Sequence, residues 1–183
     1  MQLTTERLLL REFVEEDWEA VLEYQNDPLY LRYNPFEYRT EADAREFVGW
    51  FLANQREAPR VKFQLAVVLK SEGRLIGNCG VRVNDTTLQE GNIGYELNSR
   101  YWGYGYATEA AREMVRYGFE ELGLHRIWSC CIEENVGSAR VLEKVGMLPE
   151  GILREKEFFK DRWWNQRRFA LLVQEWIALN ANI

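Results

Sequence analysis

The chain has 183 residues, a formal net charge of −6 and 25 aromatic residues, namely seven Trp, nine Tyr and nine Phe. This length predicts a single domain over residues 1–183, because a chain of this size buries roughly two-thirds of its unfolded surface around one core. The negative charge argues against a nucleic-acid partner. The sequence has no apolar run of ~18 residues and no signal peptide, so we expect no membrane partner and a cytoplasmic location.

The cysteines and the histidine do not predict a metal site or a disulfide framework. The chain has three cysteines, Cys79, Cys130 and Cys131, and no Cys-x-x-Cys spacing. We therefore expect reduced thiols. His125 is the only histidine, and we expect it to be structural.

The charge is distributed unevenly. Residues 1–50 carry 12 Asp and Glu against 5 Lys and Arg, whereas residues 51–183 carry 17 against 18. Two interpretations stay open: a pair of solvated acidic helices, or an acidic rim that attracts a cationic acceptor.

The first third of the chain is predicted to form one strand and two helices. Residues 8–13 alternate loosely, which indicates a strand. Residues 15–26 have helical periodicity that Asp27 and Pro28 should end. Residues 40–57 predict a second helix with Thr40 as N-cap and Asp43 in its first turn.

The remainder predicts a mixed α/β fold. The expected strands are 63–69, 75–83, 91–97, 126–132, 148–159 and 163–173. A helix should follow residue 105, with Ala111, Met114 and Val115 on its apolar face, and a shorter helix should span 135–145.

The segment from Arg100 to Ala107, with glycines at 103 and 105, lies between a predicted strand and a predicted helix. The first N–H groups of a helix lack partners within it, and glycine lets an anion approach the backbone. No Ser, Thr, Asp or Asn lies between Trp102 and Ala107 to cap these groups. The alternative is an ordinary glycine turn, with Thr108 capping the helix one turn later.

Three motifs resemble one known family. The pattern Arg100-x-x-Gly103-x-Gly105, followed by Tyr-Ala-Thr-Glu-Ala, resembles the acetyl-CoA loop of the Gcn5-related N-acetyltransferases (GNAT). The segment from Glu134-Asn135 through Ser138 to Met147 is similar to the second signature of that superfamily. The opening Thr5-Glu6-Arg7 and the ending from Gly151 to Leu172 resemble its RimJ/RimL-like branch of ribosomal-protein N-terminal acetyltransferases.

The resemblance implies a fold and a cofactor site. The fold would be a GNAT-like, mixed and mostly antiparallel twisted sheet with helices on both faces. It would be splayed at its centre, between the strand ending at Leu97 and the strand starting at Arg126. Acetyl-CoA would be the cosubstrate, with its pantetheine arm along the splayed edge and its pyrophosphate on the glycine loop. The implied cofactor-binding residues are Leu97, Arg100, Gly103, Tyr104, Gly105, Tyr106, Ala107 and Asn135.

Two residues are candidates for proton transfer. Glu96, on the strand at the splay, is the candidate base; the alternative is a carboxylate pointing into solvent. Ser138 is the candidate acid for the leaving thiolate; the alternative is a hydroxyl that only caps a helix. Leu142 stands where most of the superfamily has a Tyr acid, which gives weight to Ser138. Asn165 stands where this branch usually has Asp, so a carboxylate contact to the acceptor there is in doubt.

The predicted activity is acetyl transfer from acetyl-CoA to a primary amine, by direct attack in a ternary complex. The acceptor would be a protein N-terminus, with a polyamine or another small amine as the alternative. Rivals of another class are a CoA-binding regulatory module without turnover and a self-associating structural domain. A homodimer stays open.

Overall fold

A computed structural model describes residues 1–181. Its strands are β1 Gln2–Thr4, β2 Leu8–Arg11, β3 Lys62–Leu69, β4 Arg74–Asp85, β5 Glu90–Leu97, β6 Arg126–Ile132, β7 Leu148–Phe159 and β8 Arg162–Leu172. Its helices are α1 Trp18–Gln25, α2 Pro28–Leu31, α3 Glu41–Asn54, α4 Tyr106–Glu120, α5 Val136–Val145 and α6 Val173–Asn180.

The sheet has the order β1-β2-β3-β4-β5-β6-β8-β7. Every neighbouring pair is antiparallel except β5 and β6, which run parallel. Helices α4 and α5 pack on one face, and α1 and α3 pack on the other. The mixed, mostly antiparallel sheet with helices on both faces is therefore confirmed.

The sheet is splayed between β5 and β6. These strands pair only where Glu90, Gly91 and Asn92 face residues 126–128. Beyond that point β5 pairs only with β4, and β6 pairs only with β8. The second half of β5 therefore has one edge without a strand partner, at the centre of the molecule.

Local signals located most elements correctly. Thr40 and Asp43 form the capping box at the start of α3, as the spacing predicts. The bounds of β6 and β7 are those expected from the sequence. A short 3-10 turn, Glu15–Asp17, precedes α1, so this helix begins later than predicted.

Three short elements were not predicted. β1 has three residues, which is too few to show a period of two. Asp27 and Pro28 follow α1 as expected, but they also begin α2, because Asp27 caps Leu29 and Pro28 occupies the first turn. The third element is α6, which follows β8 directly.

Four of the twelve carboxylates in the first fifty residues form ion pairs with arginines. Ion pairs join Glu12 to Arg60 at 2.6 Å and Asp17 to Arg11 at 2.7 Å. Further carboxylates at 23 and 41 also face arginines. The pairing accounts for a third of these carboxylates, and both interpretations of the acidic region stay open.

Neither a membrane span nor a metal cluster is found in the described part of the chain. No helix within residues 1–181 has the length and apolarity to cross a bilayer. No group of three or more His, Cys, Asp or Glu side chains within the same residues could hold a metal ion.

Candidate active site

The glycine loop presents unpaired backbone donors at the start of α4. Gly103 and Gly105 both have φ of +84°, a conformation that favours glycine, and Gly105 is the N-cap. No side chain within residues 1–181 caps this helix. Thr108 lies buried inside the first turn, so the interpretation of Thr108 as the cap is wrong.

The loop has room for an anion. A side chain on Gly103 would meet no atom within 4 Å, and one on Gly105 would meet only Arg7 Nη2, at 3.5 Å. A fifteen-residue helix directs the positive end of its dipole at this loop. Open space, exposed N–H groups and the dipole together fit a phosphate.

Arg7 is a component of this loop that sequence reasoning assigned no role. Its Nε donates to Glu109 at 2.7 Å, and its Nη1 donates to the carbonyl of Tyr104 at 3.0 Å. The guanidinium also lies 4.5 Å from the ring centre of Tyr106. Arg7 therefore joins the turn before β2 to the glycine loop. The Thr5-Glu6-Arg7 motif was the available signal.

The other predicted cofactor residues surround the same cleft. The carbonyl of Leu97 accepts a hydrogen bond from Trp102 Nε1 at 2.8 Å. Arg100 is 72% exposed and pairs with Glu23 at 3.1 Å. The exposed ring of Tyr104 stacks on Tyr106, with ring centres 5.9 Å apart.

Asn135, and not Ser138, caps the N-terminus of α5. Capping was the alternative role considered for the Ser138 hydroxyl. Asn135 Oδ1 accepts from the Ser138 backbone N–H at 3.1 Å, so Asn135 is the N-cap of α5. The Ser138 hydroxyl instead lies 2.9 Å from Tyr95 Oη. Tyr95 therefore spans the gap from β5 to α5. Burial raises the pKa of Tyr95, against the opposing effect of Ser138, so this phenol stays protonated.

Glu96 is half-buried and lines a cavity of about 590 Å³ between α3 and strands β3–β5. Its Oε2 accepts from Asn78 at 3.0 Å, from Tyr24 at 3.2 Å and from Gln25 at 3.4 Å. Glu96 therefore lines this cavity, while its Oε2 is held by donors of α1 and β4.

The tyrosines beside Glu96 are held in their neutral form. Burial raises the pKa of Tyr24 well above its usual value, and the negative charge of Glu96 raises it further. The same two causes raise the pKa of Tyr30. Both phenols therefore remain available as donors to the carboxylate at any pH at which the enzyme would work.

The two candidate residues for proton transfer approach the same strand from opposite faces. Glu96 and Tyr95 are neighbours on β5, so their side chains point to opposite sides of the sheet. Glu96 lines the cavity, whereas Tyr95 contacts Ser138 on the other side of the sheet. Sequence reasoning missed Asn78 and Tyr24, whose contacts with Glu96 join separate elements.

The two departures from the superfamily pattern have structural roles. Leu142 is fully buried in the core beneath α5. Asn165 donates to Glu133 at 2.8 Å and accepts from the N–H of Glu155 at 2.8 Å, so its amide ties the β7–β8 hairpin to the end of β6.

Known proteins match this chain along its length. Residues 7–148 match the family model described as an acetyltransferase (GNAT) domain. The uncharacterized N-acetyltransferase YnaD of Bacillus subtilis is 38% identical over 176 residues, which are 96% of this chain and 99% of that protein.

Solved structures give the same result. An acetyltransferase of the GNAT family from Bacillus anthracis has a TM-score of 0.81 and 36% identity, over 94% of this chain and 98% of that one. The ribosomal alpha-N-protein acetyltransferase RimL, solved in complex with coenzyme A, has a TM-score of 0.82 at 15% identity. The match covers 96% of this chain and 99% of that one, and it shows a shared fold. The chain belongs to the GNAT acetyltransferase family and is an acetyl-CoA-dependent N-acetyltransferase.

Proposed function

We propose that this enzyme acetylates a primary α-amine by direct attack in a ternary complex, with Glu96 as base and Ser138 as acid. One observation carries the proposal: Glu96 lines a cavity of about 590 Å³ together with Gly94 and Tyr95, in the half of β5 that does not pair with β6. An amine in that cavity would lie against the strand edge along which the pantetheine arm is expected.

Each residue then has a defined task. Bound acetyl-CoA supplies the acetyl thioester, while the N–H groups of Gly105, Tyr106 and Ala107 hold its pyrophosphate. Glu96 takes a proton from the amine, whose nitrogen bonds to the acetyl carbon as the carbon–sulfur bond breaks. The Ser138 hydroxyl gives its proton to the departing sulfur and regains one from solvent, and Tyr95, 2.9 Å away, supports that hydroxyl.

An α-amine suits this site better than a polyamine. With a pKa of ~7.7–8.0, an α-amine is partly neutral near pH 7.5, whereas an amine of pKa ~10.4 is only ~0.1% neutral. Four of the acidic residues that could attract a polycation form ion pairs with arginines instead. A protein N-terminus is therefore our first acceptor class, and a polyamine is the second.

The first test is a screen of peptides, amino acids and polyamines with acetyl-CoA, read by mass spectrometry. We expect a mass gain of one acetyl group on an α-amine and release of one thiol per product. Acetylation confined to polyamines would contradict the proposed acceptor. Tight CoA binding without any acetylated product would support a regulatory module instead.

The cofactor assignment predicts a thermal shift. Acetyl-CoA at 100 times its Kd should add about 2.7 kcal/mol to the free energy of unfolding, because the ligand binds the folded chain alone. Differential scanning fluorimetry measures the shift, with NAD and ATP at equal concentration as controls. A melting temperature that acetyl-CoA does not change would refute the cofactor site.

Ser138→Ala tests the acid. We expect kcat to fall roughly 10²-fold or more, with little change in the affinity for acetyl-CoA, because the hydroxyl acts on the leaving group. Tyr95→Phe is the matched control, since it removes the hydrogen bond to Ser138 and leaves the serine in place. A normal kcat for Ser138→Ala, measured by thiol release at saturating substrates, would remove Ser138 from the mechanism.

The proposal also includes the cellular location of the enzyme, which bears on the state of its cysteines. The three cysteines are free thiols in the structure, and two of them, Cys79 and Cys131, are buried. Burial raises the pKa of Cys131 to about 11, so this thiol is unreactive at neutral pH. We propose a cytoplasmic single-domain enzyme.

A further inference from the structure

The Glu96 cavity also contains a cation without a carboxylate partner. Arg82, on β4, lines this cavity, and its Nη2 donates to Gln64 Oε1 at 2.7 Å. No carboxylate within residues 1–181 forms an ion pair with it. Burial lowers the pKa of Arg82, but a guanidinium keeps its charge near neutral pH. A partly buried positive charge thus lines the acceptor cavity. The charge of Glu96 acts on it from a distance, but no carboxylate within residues 1–181 forms a direct ion pair with it.

Strand register brings this cation to the same surface as Glu96. Asn78 pairs with Glu96, Gly80 with Gly94, and Arg82 with residue 92, so these pairs share one face of the sheet. The two glycines leave room for neighbouring side chains, and the Gln64 amide lies over Gly80, 2.4 Å from where a side chain would begin. A side chain on Gly94 would lie 3.2 Å from Arg82 Nη1, which places the guanidinium over that glycine. Gly94 is two residues from Glu96, or ~7 Å along the strand.

A relay of amides connects the two charges. Arg82 donates to Gln64, Gln64 donates to Asn78 at 2.6 Å, and Asn78 donates to Glu96 at 3.0 Å. These bonds fix the guanidinium and the carboxylate in place without neutralising either. The surface is therefore bipolar, with its negative end at Glu96 and its positive end at Arg82.

The opposite side of the cavity is aromatic. Phe47, Trp50 and Phe51 of α3 line it, and Trp50 is 54% exposed. Aromatic rings of this kind bind an apolar group by burying its surface. The cavity thus offers a carboxylate, a guanidinium and an apolar wall within one space.

We propose that the acceptor is an amino carboxylate with an apolar side group. Its amine would face Glu96, its carboxylate would bind Arg82, and its side group would lie against the α3 rings. This inference rests on the proposed function and narrows its acceptor. The carboxylate could belong to a free amino acid or to an acidic residue next to a peptide N-terminus, and both sources share the same chemistry.

Binding of a carboxylate explains why an unpaired arginine is kept there. Removing a charge from water is costly unless a partner compensates, and a carboxylate is the strongest hydrogen-bonding partner for a guanidinium. A polyamine has no such group, and its second ammonium would be repelled by Arg82.

The experiment compares three acceptors that share one side group. They are L-phenylalanine, L-phenylalaninamide, and a peptide beginning Phe-Asp with a blocked C-terminus. For the wild-type enzyme we expect kcat/KM for a carboxylate-bearing acceptor to exceed that for the amide by ~10–150-fold, the range of a hydrogen bond to a charged group. Preference for L-phenylalanine would identify a free amino acid as the acceptor. Preference for the Phe-Asp peptide would identify a peptide N-terminus.

Arg82→Met should abolish this preference. We expect kcat/KM for the carboxylate-bearing acceptor to fall to the level of the amide, with the amide value unchanged. Arg82→Lys should retain part of the preference, and it serves as the test if Arg82→Met does not fold. Lys62→Met is the matched control, because Lys62 is the exposed cation at the same cavity.

Two outcomes would overturn the inference and leave the proposed function intact. The first is equal kcat/KM for acid and amide in the wild-type enzyme. The second is an equal loss for both acceptors in Arg82→Met, which would mean that the arginine only positions Glu96 through the amide relay. If no amine of any kind is acetylated while CoA binds, the proposed function itself fails.

Discussion

Glu96→Gln should lower kcat/KM by ~10²–10⁴, the range expected when a general base is removed. Glutamine has nearly the same shape as glutamate and still accepts hydrogen bonds from Asn78 and Tyr24, so the cavity should keep its form. It cannot take a proton from the amine. The affinity for acetyl-CoA should not change, because the glycine loop lies elsewhere.

The pH profile separates this role from a structural one. If Glu96 takes the proton, the acidic limb of the kcat/KM profile should change in Glu96→Gln. The pKa of the acceptor amine persists in both enzymes. Glu134→Gln is the matched control, since it neutralises an exposed carboxylate between β6 and α5 that pairs with Arg162. If Glu96→Gln retains near wild-type kcat/KM, positioning the amine dominates catalysis and Glu96 is not the base.

Gly105→Val should abolish measurable binding of CoA and acetyl-CoA while the fold survives. Gly105 has φ of +84°, which costs a β-branched residue roughly 1–3 kcal/mol, and its side chain would enter the space expected for the pyrophosphate. Isothermal titration calorimetry measures the affinity, and circular dichroism confirms the fold.

A second glycine provides the control for backbone strain. Gly123 has φ of +63°, has no atom within 4 Å of an added side chain, and follows the other end of α4. Gly123→Val should lower the melting temperature by a comparable amount and leave CoA affinity unchanged. Unaltered affinity in Gly105→Val would show that the pyrophosphate does not bind against this glycine.

Local signals explain why much of the fold could be predicted. The capping box at Thr40 needs only residues three apart, and the start of α4 follows from two glycines and the helical period after them. The motifs around Gly103 and Ser138 were enough to indicate the family. These features depend on short stretches of chain, which the sequence displays directly.

The sequence by itself thus determined the family, the cofactor loop and the candidate residues. The tertiary structure decided what those residues face. Alternation along β5 separates Tyr95 from Glu96 but does not say which face holds a cavity. The contact of Tyr95 with Ser138 joins residues 43 apart, and the approach of Arg82 to Glu96 depends on the register of β4 on β5. Contacts of this kind arise when separate elements pack, so no local pattern in the chain encodes them.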